Sequence, residues 1–192
     1  PKLKPTVEFA TTWEKAVEEA KLLNVPLVVH DHGYYCGPCW GMHASVLQNA
    51  DYIKFASANT VEVISLSRLD EGVKKGEDRA AKYTTTVDGQ KVERMVEWPN
   101  LTYDEMVALN ASPGGRYNDT RAIPFTVVVN PYDLKEMWRH SGGTPAAAIM
   151  DAVKDAKKAL DKEHGKGISR KEYRALGDAE AEATKLSGEG DF

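Results

Sequence analysis

The only two cysteines of this chain lie three residues apart, in the tetrapeptide Cys36-Gly37-Pro38-Cys39. No disulfide framework can form elsewhere in the 192 residues, so whatever the two thiols do, they do together. A chain of this length can bury a core without covalent links of that kind. The sequence therefore predicts one ordinary domain, or a small domain with additions, that carries a single pair of thiols.

Charge and hydropathy argue against two classes of partner. The 29 acidic and 25 basic residues are intermingled and leave a net charge of -4, which gives no electrostatic reason to expect a nucleic acid or an anionic membrane surface. No apolar run approaches the roughly 20 residues of a membrane-spanning helix. We expect a folded globular protein with no nucleic-acid partner and no membrane-spanning segment.

The residues before the motif predict a helix followed by a strand. Apolar side chains recur at helical spacing over 11–23, and Thr11 with Glu14 can form a capping box at the start of this helix. Asn24 can end it. The apolar run that follows is typical of a short buried strand that continues into His30.

The motif follows that strand and begins a second helix. Pro38 is tolerated there because the first turn of a helix needs no amide donor. A cysteine at a helix N-terminus gains the thiolate form, since exposed backbone N–H groups and the helix dipole favour an anion, and Cys36 is therefore the predicted nucleophile. The second thiol, one turn further on, can reach the first sulfur, which makes Cys39 the predicted resolving partner. Gly37 and Pro38 place no charged or donating side chain between them.

Further elements complete an α/β pattern. The segment 61–67 alternates apolar and polar residues as a strand does, and the turn Asp88-Gly89 closes a predicted hairpin. Two β-rich runs around 131–134 predict a second antiparallel pair, and 112–120 is predicted to be loop. Four more helices are predicted. Two of them span 52–58 and 103–109, and the second is capped by Asn100 or Thr102. A third is opened by Thr144-Pro145 and has Ile149, Val153, Ala156 and Leu160 on its inner face, and a fourth in the tail is capped by Ser169 and Glu172.

The order of these elements resembles the thioredoxin superfamily. Three features carry the resemblance: the CGPC tetrapeptide preceded by an aromatic residue, the pair Ile123-Pro124 in front of a strand, and Gly142-Gly143 before the helix opened by Pro145. The resemblance implies an α/β, thioredoxin-like three-layer fold. Its central mixed β-sheet is flanked by helices, and an inserted hairpin and loop region and a C-terminal helical extension are added to it.

The resemblance covers only part of the chain. It implies one thioredoxin-like domain over residues 1–163, whose core spans 11–69 and 121–163 and whose insertion spans 70–120. Residues 164–192 are then a C-terminal extension that contains one helix.

The resemblance also implies roles for single residues. In the family, the proline that corresponds to Pro124 is cis and faces the disulfide, and the backbone before it pairs with the substrate chain, which implies a substrate-binding role for Ile123 and Pro124. Tyr35 departs from the family, because thioredoxins usually carry tryptophan there. His30 stands where they carry a buried acid that helps to deprotonate the resolving thiol. His30 can do the same as a neutral imidazole, or it is a hydrogen-bonded structural residue.

The activity that the resemblance implies is that of a thiol–disulfide oxidoreductase. Its substrates are protein dithiols and disulfides, an upstream redox partner serves it, and no organic cofactor is needed because the cysteine pair holds the electrons. Two alternatives remain open: a redox-inactive interaction scaffold, or a copper- or zinc-binding, metallochaperone-like module on the same fold. The metal ligands in that last case would be Cys36, Cys39 and His43, with His30 or His32 beside them.

The compartment is a weaker expectation. The sequence does not begin with Met and has no cysteine outside the motif, which favours an exported or periplasmic setting over a cytoplasmic one. The direction of electron flow depends on that compartment.

Overall fold

A computed structural model of the chain describes residues 5–33, 36–67, 69, 80–87, 89–97, 99 and 101–188. A π-helical turn, His43–Leu47, continues the second helix, and a 3-10 turn, Pro113–Arg116, follows the fourth. The described helices and strands, in chain order, are α1 (Trp13–Leu23), β1 (Leu27–Gly33), α2 (Gly37–Met42), α3 (Ala50–Asn59), β2 (Val61–Ser67), β3 (Ala80–Val87), β4 (Gln90–Glu97), α4 (Tyr103–Ala111), β5 (Phe125–Val129), β6 (Glu136–Ser141), α5 (Ala146–His164) and α6 (Arg170–Gly188).

The main sheet has four strands in the order β2-β1-β5-β6. β1 pairs in parallel with β2 and antiparallel with β5, and β5 pairs antiparallel with β6. The sheet is therefore mixed, and the predicted α/β class with a central mixed sheet flanked by helices is confirmed. β1 is an inner strand, and it ends at Gly33, three residues before Cys36. The motif therefore follows the carboxyl end of an inner strand.

The core is formed by apolar residues that the sequence pattern marks. The inner strands β1 and β5 contribute fully buried valines, each worth roughly 1.5–3 kcal/mol of transfer free energy. Helix α5 buries Ile149, Val153, Ala156 and Leu160, as predicted. Within the segment 70–120, Leu101 and two residues of α4, Met106 and Leu109, belong to this same core.

The capping box predicted for Thr11 and Glu14 is wrong by one residue. Thr12 is the N-cap of α1, and its hydroxyl accepts the backbone N–H of Lys15 at 3.2 Å. Trp13 is then the first helical residue, and its side chain is buried with the apolar face of α1. Because Trp13 begins the helix, the threonine directly before it, Thr12, is the one that caps it. Asn24 ends α1 with a left-handed backbone (φ 51°), as predicted.

The predicted hairpin is confirmed as a separate two-stranded sheet. Val87 of β3 lies opposite Gln90 of β4, and Gly89 between them has φ 80°; Asp88 lies outside the described residues. Helix α4 begins at a capping box formed by Thr102 and Glu105, whereas the alternative cap Asn100 lies outside the described residues. The stretch 112–120, predicted as loop, contains the 3-10 turn 113–116.

The C-terminal extension is joined to the main body by its first residues. The backbone N–H of Ile168 donates to the carbonyl of Leu22 at 2.9 Å. Arg170 donates to the carbonyl of Thr60 and lies 3.3 Å from the carboxylate of Glu19. Ser169 accepts the N–H of Glu172, as its predicted capping role requires. Among the described residues, no helix is long and apolar enough to cross a membrane.

Candidate active site

The CGPC tetrapeptide forms the first turn of α2, and its two cysteines are joined by a disulfide with a Cα–Cα distance of 5.2 Å. Cys36 is the N-cap residue, with an extended backbone, and its Sγ accepts the backbone N–H of Cys39 at 3.2 Å. A donor aimed at this sulfur favours its anionic form once the disulfide is reduced. Pro38 lies in the first turn, where its missing N–H costs nothing, as predicted.

The two sulfurs occupy unequal environments. Cys36 is 9% exposed and Cys39 2% exposed. The Sγ of Cys39 accepts the backbone N–H of Gly33 at 3.4 Å, which ties it to the end of β1. Gly37 and Pro38, between the two cysteines, are exposed. A partner sulfur approaching from solvent therefore meets Cys36 first.

The peptide bond between Ile123 and Pro124 is cis, as expected from the resemblance. The carbonyl oxygen of Ile123 lies 3.8 Å from the Sγ of Cys36. Pro124 is buried, and Ile123 is partly exposed. The two residues assigned to substrate binding therefore stand directly beside the sulfur assigned to attack.

Gly33 allows the end of β1, the motif and the cis-proline loop to meet. A Cβ atom at this position would lie 2.5 Å from Cδ1 of Ile123 and 3.4 Å from Cβ of Cys36. Only a residue without a side chain fits there without displacing Ile123. Sequence reasoning missed this role, because a glycine at the end of an apolar run carries no signal of what approaches it.

His30 is fully buried, and its ring forms a hydrogen bond with the buried carboxylate of Glu62. Its Nε2 lies 2.7 Å from Oε2 of Glu62, while Oε1 of Glu62 accepts the hydroxyls of Tyr52 at 2.6 Å and of Thr60 at 3.2 Å. Burial, together with the charge of Glu62, raises the pKa of Tyr52 well above its usual range, so the phenol stays protonated and donates. The strand predicted over 61–67 is confirmed as β2, and six of its seven residues are buried although polar residues alternate along it.

Two further histidines lie in the same interior. The His32 ring is 5.9 Å from that of His30, at nearly a right angle, and His43 is buried as well. Burial lowers the pKa of His32 well below its usual range, and the proximity of His30 and His43 lowers it further. The His32 imidazole is therefore neutral at neutral pH. In the described part of the chain, no three His, Cys, Asp or Glu side chains are grouped as a metal site.

An open groove of about 590 Å³ lies beside the motif. It runs between α2 and the start of α5, and Pro38, Met42, Gly143 and Pro145 are among the residues that line it. None of the described residues that line it is charged. Tyr35, the remaining residue that the sequence assigned to the site, lies outside the described residues.

Two solved structures are similar to the chain in backbone. One, titled "DsbH Oxidoreductase", is 18% identical, with a TM-score of 0.45, and the match covers 81% of this chain and 87% of that one. The other is a thioredoxin from Thermus thermophilus, 16% identical, with a TM-score of 0.43 and coverage of 78% and 86%. No protein-family model and no curated protein matches the sequence. The thioredoxin-like fold is recognised in this chain by its own strand order, its cis-proline and the position of its CGPC turn.

Proposed function

We propose that this thioredoxin-like protein is a thiol–disulfide oxidoreductase, in which Cys36 attacks and Cys39 resolves. The observation that carries the proposal is the inequality of the two cysteines: Cys36 caps a helix beside Ile123 and is 9% exposed, whereas Cys39 is 2% exposed. An inert structural disulfide needs neither a donor aimed at its outer sulfur nor an adjacent backbone carbonyl. A redox pair uses both.

The exchange balances without any other redox group. In the reducing direction, the Cys36 thiolate attacks one sulfur of a substrate disulfide, the bond between the substrate sulfurs breaks, and the departing thiolate takes a proton. Cys39 then loses its proton and attacks the Sγ of Cys36, so that the mixed disulfide breaks and the substrate leaves as a dithiol. Two electrons and two protons have passed to the substrate. An upstream dithiol partner restores the pair by the same steps, and the reverse sequence oxidises a substrate.

The proton that leaves Cys39 is assigned, within this proposal, to His30. His30 lies on β1, the strand whose last N–H contacts the Sγ of Cys39, and it is fully buried. The carboxylate of Glu62, 2.7 Å from Nε2, fixes the orientation of the His30 ring. His30 thus replaces a buried carboxylic acid with an imidazole–carboxylate pair.

Protein substrates are favoured over small thiols by the surroundings of Cys36. The Ile123 carbonyl beside this sulfur offers an acceptor to the backbone of a bound chain, and the open groove next to Pro38 can take its apolar side chains. Ile123 and Pro124 are therefore assigned to substrate binding. No organic cofactor enters the reaction, and an exported or periplasmic setting, supported by the confinement of cysteine to the motif, remains part of the proposal.

Replacing Cys39 with serine is expected to trap the intermediate. Cys36 can still attack a disulfide-bonded protein such as insulin, but nothing resolves the mixed disulfide, so a covalent complex accumulates in proportion to Cys36. Non-reducing electrophoresis or intact mass spectrometry measures the complex, and dithiothreitol should separate its two chains by reducing the mixed disulfide. The matched control, a variant in which both cysteines are serine, should capture nothing. Equal capture by that control would refute Cys36 as the nucleophile.

A further inference from the structure

The loop that leads into the cis-proline is organised by one side chain, Asn118. Its Nδ2 donates to Oδ2 of Asp31 at 2.7 Å and to the carbonyl of Ala122 at 2.8 Å. Its Oδ1 accepts the backbone N–H of Thr120 at 3.1 Å and the hydroxyl of Thr120 at 2.7 Å. Asn118 thus joins β1 to the residue that immediately precedes Ile123.

The backbone that Asn118 encloses adopts an unfavourable conformation. Arg121 has φ 62°, in the left-handed region, which costs a residue other than glycine on the order of 1 kcal/mol. The hydroxyl of Thr120 accepts the N–H of Ala122 at 3.2 Å and lies 3.3 Å from the hydroxyl of Ser141 on β6. A strained turn of this kind persists only when its surroundings determine it, and here they are the hydrogen bonds of Asn118 and Thr120.

Asp31 supplies the fixed end of this arrangement. It lies on β1 between His30 and His32, and its backbone is opposite Phe125, the residue after Pro124. Its carboxylate is partly buried; burial raises its pKa, and the hydrogen bond from Asn118 opposes that rise. The rigid central strand therefore holds Asn118, and Asn118 in turn holds the loop.

We propose that Asn118 is a positioning residue that sets where the Ile123 carbonyl stands relative to Cys36. The proposal rests on the proposed function and adds to it that recognition of a substrate backbone, rather than sulfur chemistry, depends on the link from Asp31 through Asn118 to Ala122. A small disulfide that contains no peptide bond has no backbone to pair with the loop. Its exchange with Cys36 should therefore be indifferent to Asn118.

The test compares two substrates in the 192-residue chain. Asn118→Ala should raise KM for insulin reduction about tenfold while kcat changes less than about twofold, since a displaced loop weakens pairing with the substrate chain. The rate of exchange with bis(2-hydroxyethyl) disulfide, which contains no peptide bond, is measured by stopped flow and should stay within about twofold of wild type. Asn110→Ala is the matched control: its side chain bonds Ser65 and Leu66 of β2 without touching the loop, and neither rate should change.

A second pair of variants separates positioning from loss of folding. Asp31→Ala removes the acceptor for Asn118 and should reproduce the rise in KM, whereas Asp31→Asn retains an acceptor oxygen and should rescue it. Equal losses for insulin and bis(2-hydroxyethyl) disulfide, or an unchanged KM in Asn118→Ala, would overturn the positioning role while leaving the oxidoreductase intact. Absence of turnover in the wild-type protein would instead overturn the proposed function, and this inference with it.

Discussion

Replacing Cys36 with serine is expected to reduce the turnover of a protein disulfide to the uncatalysed rate. The thiolate is the attacking species in disulfide exchange, and a serine hydroxyl is not ionised near neutral pH. The buried Cys39, 2% exposed, cannot replace it. An insulin-reduction assay with dithiothreitol as electron donor measures the loss.

The loss in this variant should be chemical and not structural. Cys36 is the N-cap of α2 and accepts the N–H of Cys39, and serine is among the residues most favoured for that capping role. The far-ultraviolet circular dichroism of Cys36→Ser should therefore match that of the reduced wild-type protein. Full activity of this variant would contradict the assignment of Cys36.

Replacing Glu62 with leucine is expected to lower the free energy of unfolding by about 3–5 kcal/mol. The substitution removes the carboxylate that Tyr52 and His30 share, and each buried donor left unsatisfied costs on the order of 1–3 kcal/mol. The Thr60 hydroxyl keeps a second acceptor, the carbonyl of Ala56 at 3.2 Å. Equilibrium unfolding of the oxidised protein in urea measures the change. Glu62→Gln, which keeps one acceptor oxygen and the volume, should lose less.

Glu8 provides the matched control for that experiment. It forms an ion pair with Arg174 at 2.7 Å, but both side chains are more than half exposed, so Glu8→Leu should cost no more than about 1 kcal/mol. A cost for Glu62→Leu as small as that for Glu8→Leu would contradict the buried network. The difference in the free energy of unfolding between the two variants thus measures how much burial adds to the cost of replacing a glutamate with leucine.

The fold was predictable from the sequence wherever a residue type or a local pattern is compatible with only one backbone structure. Asn24 tolerates the left-handed backbone that ends α1. The apolar residues of α5 lie on one face of the helix, so that face must pack against the core. The CGPC tetrapeptide predicts the start of a helix, because proline is favoured in the first turn of a helix. The cis bond before Pro124 was expected from the family resemblance alone, since most bonds before proline are trans.

The parts of the site that the sequence did not reveal depend on contacts between distant segments. Glu62 alternates with valines as an exposed strand residue would, and only its partners Tyr52 and His30 make burial tolerable. Asn118 lies in a polar loop segment, where asparagine is common for local reasons. Its hydrogen bond to Asp31 joins residues 87 positions apart in the sequence, so local residue patterns cannot predict it.

The central claim is that the Cys36–Cys39 pair is a reversible redox couple, and its equilibrium against glutathione and dithiothreitol buffers tests this most directly. Thiol alkylation followed by intact mass gives the fraction of dithiol at each potential, with Cys39→Ser as the control that cannot form the internal disulfide. We expect a two-electron transition in the native protein, with a midpoint between roughly -120 and -270 mV, the range of catalytic thiol pairs. A disulfide that resists reduction to below about -300 mV, as structural disulfides do, would contradict the account.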